Sequence, residues 1–262
     1  MRRYLSSPRA EKRSSLSSNK RSGCRQQLGL TATRGDEMDD AVPWAIKPTR
    51  PGSLRRATSR LQKNLRPLVQ AVATAFPHAQ VELWATDEHR IGLKPILHKV
   101  WCFDGQRPLA PVQHRFAWRY LVGFVHPASG RTVFHLATTV SIPLFEVELA
   151  AFARQVGASP SKHIILVLDR AGWHTSMRLR VPEHVHLLFL PAYSPELQPA
   201  EHLWPLTNTV LANRHFATID ELEDAQAARC VALQARRDLI RSTTRFQWWP
   251  QRIKKRQGPR RP

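Results

Sequence analysis

Two short apolar runs constrain this chain more than any other feature: residues 164–168 (IILVL) and 185–190 (VHLLFL). The first stops abruptly at Asp169, and the second at the turn Pro191–Ala192–Tyr193–Ser194–Pro195. Short apolar runs bounded by turn signals read as strands buried on both faces, which calls for helices on each side of a sheet. A carboxylate at the exit of such a strand projects into the crevice at the carboxyl edge of the sheet. Ligands of open α/β sheets usually sit there. A helical pattern carrying Glu201 follows the second run, and an upstream strand-like segment, 81–86, ends in Asp87–Glu88. Asp87, Asp169 and Glu201, spaced by 82 and 32 residues, can therefore meet on one edge.

Three carboxylates delivered this way suggest a metal site rather than a core. Hard divalent cations such as Mg²⁺ take oxygen ligands and keep several waters. Two such ions about 4 Å apart clamp the attacking and leaving oxygens of an in-line phosphoryl displacement. Asp87 and Glu88 alternate across their strand, so one of them faces the crevice. Asp87 shares a face with Leu83 and Ala85 and is the choice, with Glu88 in reserve. Ser194–Pro195–Glu196 reads as a helix start, with Ser as N-cap and Glu in the first turn. That accounts for Glu196 and leaves Glu201, at the border of the stripe Leu197, Ala200, Leu203 and Trp204, as the ligand. His174 reads equally as an orienting or DNA-contacting group and as a packed or surface histidine. Trp173 reads as core, and Asp104 as a turn residue.

The charge distribution identifies a polyanionic partner. Net charge is +20 over 262 residues. Residues 1–70 carry 16 basic and 5 acidic side chains, residues 241–262 carry 8 and none, and the middle is nearly neutral. Basic arms of this kind neutralise phosphates and give salt-sensitive, sequence-independent affinity for nucleic acid. No apolar run reaches the roughly 20 residues of a membrane span. The N-terminus has no apolar signal core. Three scattered cysteines form neither a disulfide framework nor a CxxC pair. The expected setting is the cytoplasm, at the nucleoid.

Along the chain the pattern predicts strands 81–87, 97–103, 116–125 and 131–138, helix 143–156, strands 163–169 and 185–190, and helices 194–212 and 218–236. Residues 125–131 read as a hairpin turn. The expected fold is α/β: a ribonuclease-H-like mixed sheet flanked by helices, with disordered basic N- and C-terminal extensions. Its parts are a basic extension, 1–52; a linker helix, 53–79; a catalytic domain, 80–240; and a basic tail, 241–262.

The residues then become recognisable. They are Thr86–Asp87–Glu88–His89–Arg90–Ile91–Gly92–Leu93–Lys94–Pro95, Val100–Trp101, Leu168–Asp169–Arg170–Ala171–Gly172–Trp173–His174, and the segment 190–204 (LPAYSPELQPAEHLW). Together they resemble the DDE transposases of the insertion-sequence-630 group, related to the Tc/mariner transposases. The resemblance covers roughly residues 80–250. It implies a ribonuclease-H-like catalytic domain, cleavage at transposon ends, and joining of the freed 3′-hydroxyl to target DNA. It places the catalytic, metal-binding acids on Asp87, Asp169 and Glu201, with two Mg²⁺ ions, or Mn²⁺ in their place. It departs from the group at Arg170, where Asn or Gly is common, and at Gln198, where Asn is frequent. Residues 1–79 show no helix-turn-helix pair. The expectation is therefore the second half of a split transposase, with a separately encoded helix-turn-helix half and a second copy of itself as partners, or else a truncated DNA-binding remnant.

Overall fold

The computed structural model describes residues 51–100, 115–192 and 194–250. The expected turn at Asp104, residues 101–103 of one expected strand, residues 1–50 and the tail beyond 250 lie outside them. Five strands form one sheet: β1 Gln80–Gly92, β2 Trp118–His126, β3 Arg131–Ala137, β4 Lys162–Leu168 and β5 Val185–Phe189. Their order is β3-β2-β1-β4-β5. β1, β2 and β3 are antiparallel neighbours, while β1, β4 and β5 run parallel. Around them lie α1 Pro51–Ala75, α2 Ile142–Val156, α3 Trp204–Asn208, α4 Ile219–Ala235 and α5 Arg237–Thr244. This is the ribonuclease-H-like mixed sheet that the element order implied.

The pleat sorts the strands onto two cores. Leu83 and Ala85 of β1, Leu121 and Val125 of β2, and Ile165 and Val167 of β4 share one core with Leu61, Leu65 and Val72 of α1. That core also takes Leu197, Leu203, Trp204, Leu233 and Ile240. The alternate residues Trp84, Phe124, Ile164, Leu166 and Leu168 pack on Phe145, Leu149 and Phe152 of α2. Each such apolar side chain contributes about 1.5–3 kcal/mol when fully buried. α2 starts at Ser141, whose hydroxyl accepts from the Leu144 N–H. The β2–β3 turn closes at Gly130, with φ +71°, where an added Cβ would stand 1.9 Å from the Arg237 carbonyl oxygen. A left-handed backbone and the close approach of α5 both require glycine there.

Four elements differ from the sequence reading. β1 continues five residues past Asp87, because it still has β2 beside it, pairing from Asp87↔Gly123 to Gly92↔Trp118. Residues 97–100 form no ladder, and Ile96 makes only a single bridge to Ala212. The expected helix 194–212 is instead two 3₁₀ turns, Pro195–Leu197 and Pro199–Leu203, followed by the short α3. Prolines at 195, 199 and 205 remove the N–H donors that a continuous α-helix needs, and tighter turns result. Finally, α5 carries the folded chain past residue 240, and Ile240 and Trp249 are buried. Its two apolar residues, Leu239 and Ile240, sit among charged and polar ones, so its periodicity is faint.

Candidate active site

β1 and β4 bring the first two acids side by side. Their parallel register reaches Ala85↔Val167. Two residues further on lie Asp87, still within β1, and Asp169, just past the end of β4, and Asp87 feels the charge of Asp169. Asp87 takes the face of Leu83 and Ala85, and there Trp204 Nε1–H donates to its Oδ2 at 2.9 Å. The indole reaches this position because Gly123, the β2 partner of Asp87, has no side chain. A Cβ on Gly123 would stand 2.8 Å from Trp204 Cη2. His89 stacks on the indole, with ring centroids 5.1 Å apart. His89 Nε2 lies 3.0 Å from Asn208 Oδ1. Burial pushes the Asp87 carboxyl up to about 7, helped by repulsion from Glu88 and Asp169, while the Trp204 hydrogen bond works against it.

Asp169 leaves the end of β4 with its side chain about half exposed, at 52%. Its Oδ1 accepts from the Ala171 N–H at 3.0 Å and lies 2.7 Å from His174 Nδ1. The His174 hydrogen bond holds the Asp169 carboxyl below the usual carboxylate range, with burial opposing it. Arg170 does not enter this cluster. Its Nε–H donates to the Leu190 carbonyl at 3.0 Å and ties the exits of β4 and β5 together. His174 is buried, and its Nε2 lies 2.9 Å from Glu88 Oε1. Burial alone would lower the imidazole pKa, but the two carboxylates outweigh it and push it up to about 9. The two readings open for His174 both find support: the ring is buried against Phe145 and is bonded to two carboxylates.

Glu201 rides the second 3₁₀ turn. Ser194 makes no side-chain cap hydrogen bond, contrary to the helix-start reading. Gln198 does the capping, since its side chain accepts from the Ala200 N–H. Gln198 Nε2–H also donates to the Thr86 carbonyl at 2.8 Å. One buried amide thus fastens the turn carrying the third acid to the residue before the first. Burial pushes Glu201 up to about 7, and the charges of Asp87, Asp169 and Glu196 add to it.

The three carboxylates therefore feel one another's charge at the carboxyl edge of the sheet. They do not close on one point: among the described residues, no three His, Cys, Asp or Glu side chains stand close enough to hold a metal ion together. In donor chemistry the set still fits a hard cation. It is all oxygen, and two of its members have their proton affinity raised by burial and like charge, a cost that a divalent cation relieves. Sequence reasoning missed Trp204, Gln198 and Glu88 as partners of this cluster. The glycine inside the apolar β2 and the amide between two prolines were the only signals for the first two.

The family model described as DDE superfamily endonuclease matches residues 82–223. That segment is more than half of the chain and holds all three acids. The chain belongs to the DDE superfamily endonucleases, and is an enzyme of that type. It is 35% identical over 106 residues to the uncharacterized protein y4pE/y4sA of Sinorhizobium fredii (strain NBRC 101917 / NGR234), covering 40% of this chain and 77% of that protein. A Mos1 transposase paired-end complex with left transposon end is similar in structure, with TM-score 0.46 and 18% identity, over 78% of this chain and 66% of that one. The catalytic domain of Mos1 mariner transposase gives TM-score 0.42 and 16% identity, over 78% of this chain and 99% of that one. The chain thus spans just under two thirds of the longer Mos1 chain. No helix among the described residues is long and apolar enough to cross a membrane.

Proposed function

We propose that this chain is the catalytic part of a DNA transposase, cutting at transposon ends and joining the freed 3′-hydroxyl to target DNA. The observation behind this reading is that Asp87, Asp169 and Glu201 feel one another's charge at one sheet edge, inside the segment that defines the family. These three are the proposed catalytic residues and metal ligands. Two Mg²⁺ ions, or Mn²⁺ in their place, would supply the electrostatic stabilisation of the attacking and leaving oxygens. The chain's own part is placement. Trp204 and Gly123 fix Asp87, Gln198 fixes the turn of Glu201, and Asp169 offers its exposed carboxylate to the crevice. Residues 80–250 carry the chemistry in this reading, and the basic arms 1–52 and 251–262 hold DNA through phosphate contacts. Residues 53–79 join the arm to the catalytic domain through α1, whose Leu61, Leu65 and Val72 belong to that domain's core. A helix-turn-helix half encoded separately would read the element's ends, and a second copy would pair them, at the nucleoid.

The test is Asp169→Asn in the full chain, assayed on a duplex carrying an element end with Mg²⁺. Cleavage should vanish while duplex binding persists, because one charged oxygen ligand is lost at nearly constant shape. Equal cleavage by variant and parent would refute the assignment. A parent chain that binds duplex and cuts nothing in Mg²⁺ or Mn²⁺ would make it a DNA-binding remnant.

A further inference from the structure

His174 lies between two carboxylates, and its two ring nitrogens do different work. Nδ1 is 2.7 Å from Asp169 Oδ1, and Nε2 is 2.9 Å from Glu88 Oε1. Each ring nitrogen thus has a carboxylate oxygen within hydrogen-bonding distance. The side chain of His174 is 0% exposed and that of Glu88 9%, against 52% for Asp169. The ring packs against Phe145, with centroids 4.4 Å apart, and the backbone N–H of His174 donates to the Ala171 carbonyl at 2.9 Å. Both contacts to Asp169 use Oδ1. A loop acid is thereby held through one oxygen.

Resting on the transposase reading, we propose that His174 is the positioning residue of Asp169, and that Glu88 is the anchor of His174 rather than a spare ligand. The pair Asp87–Glu88 then divides its labour across the pleat. Asp87 faces Trp204 on one side of β1, and Glu88 reaches His174 on the other. Through this bridge the loop after β4 takes its position from β1, so the first two acids are set by one strand. Partners of this kind orient metal ligands, and their loss typically weakens metal binding 10- to 100-fold.

Side-chain geometry allows the two halves of the bridge to be separated. In His174→Asn the amide nitrogen stands near the place of Nδ1, which keeps the donor to Asp169 and loses Glu88. In His174→Gln the amide stands near Nε2, which keeps Glu88 and loses Asp169. Mn²⁺ binding to the full chain without DNA is read by electron paramagnetic resonance, beside the thermal midpoint of each variant. His174→Gln should weaken Mn²⁺ at least about 10-fold, and His174→Asn only a few-fold. Glu88→Ala should weaken Mn²⁺, and Glu88→Gln, which still accepts from Nε2–H, should restore most of it. This second pair decides the matter if a His174 variant fails to fold. Affinities that follow the thermal midpoint and not the retained nitrogen would overturn the positioning role. Equal losses in Glu88→Gln and Glu88→Ala would make Glu88 a ligand. Asp169→Asn separates the two levels: if it leaves Mn²⁺ binding unchanged, the metal-site reading itself fails, whatever His174 does.

Discussion

Replacing Gly123 by alanine should destabilise this protein, against the usual sign. A glycine within a strand costs roughly 0.5–1 kcal/mol relative to alanine, so Gly→Ala normally gains stability. Here the new Cβ would lie 2.8 Å from Trp204 Cη2, 3.1 Å from Cζ3 and 3.3 Å from Leu203 Cδ1. Carbon atoms settle near 3.5 Å, so the indole must retreat by about 0.7 Å. The 2.9 Å bond from its N–H to Asp87 then stretches toward about 3.6 Å, outside hydrogen-bonding range. Overpacking costs about 1–3 kcal/mol and the lost bond about 1–2, less the glycine gain. The net is about 2–3 kcal/mol, a fall in Tm of roughly 4–12 °C for a domain of this size. Trp204→Phe removes the outer ring that carries Cη2 and Cζ3. In that background Gly123→Ala should cost less than about 0.5 kcal/mol, a coupling of about 2 kcal/mol in a double-mutant cycle. Urea or thermal unfolding of the four proteins measures it. Additive costs, or a Gly123→Ala protein more stable than the parent, would refute the link from Gly123 through Trp204 to Asp87.

Other expectations concern sites away from the acids. Buried Glu82 accepts from Trp84 Nε1–H at 2.9 Å and pairs with Arg131 and with Lys162, the latter at 3.1 Å. Burial pushes its pKa up, but Trp84, Arg131 and Lys162 outweigh it, and the folded value lies below the usual one. Its stabilisation is therefore present above the unfolded pKa, near 4.5, and is lost as pH falls through the folded value. Urea midpoints across acid pH should drop in the parent, and that component should be missing in Glu82→Gln. Buried Cys230 has its thiol pushed up to about 12, so it should resist alkylation in the native protein and react on unfolding. Peptide mapping of labelled Cys230 checks this, and rapid native labelling would contradict the burial. Deleting residues 252–261 removes six positive charges. If all six meet phosphates, the slope of log affinity against log salt should flatten by up to about 5, with sequence preference unchanged. An unchanged slope would move the DNA path onto the folded core, to Arg170, Arg178, Arg180 and Arg214.

The five observed strands were legible because burial writes each into a single segment. An apolar run stopped by a carboxylate has few cheap explanations. The parts that hold those acids were not legible, because each is a meeting of side chains far apart in the chain. Trp204 and Asp87 are 117 residues apart, Gln198 and Thr86 are 112, and His174 and Glu88 are 86. Helix periodicity in 194–212 was read correctly as an apolar stripe, since Leu197, Ala200, Leu203 and Trp204 are all buried. The three prolines were in plain view, but the stripe was given more weight than their missing donors. α5 was overlooked because Ile240 is its one fully buried apolar residue, and a single buried side chain makes no period.

The turn that carries Glu201 has a consequence for when this protein becomes able to cut. Segments of three and five residues in 3₁₀ form do not persist alone in water. They hold here because Gln198 grips Thr86 and because Leu197, Ala200 and Leu203 sink into the sheet. β1 must in turn have found β4 across 82 residues of chain before Asp87 and Asp169 are neighbours. Under the proposed roles, a ribosome-bound chain ending before Pro195 cannot hold the third acid at all. A finished chain whose proline-rich turn opens is disarmed while its sheet stays whole. Under those roles, competence to break DNA waits on this turn and on the sheet that grips it.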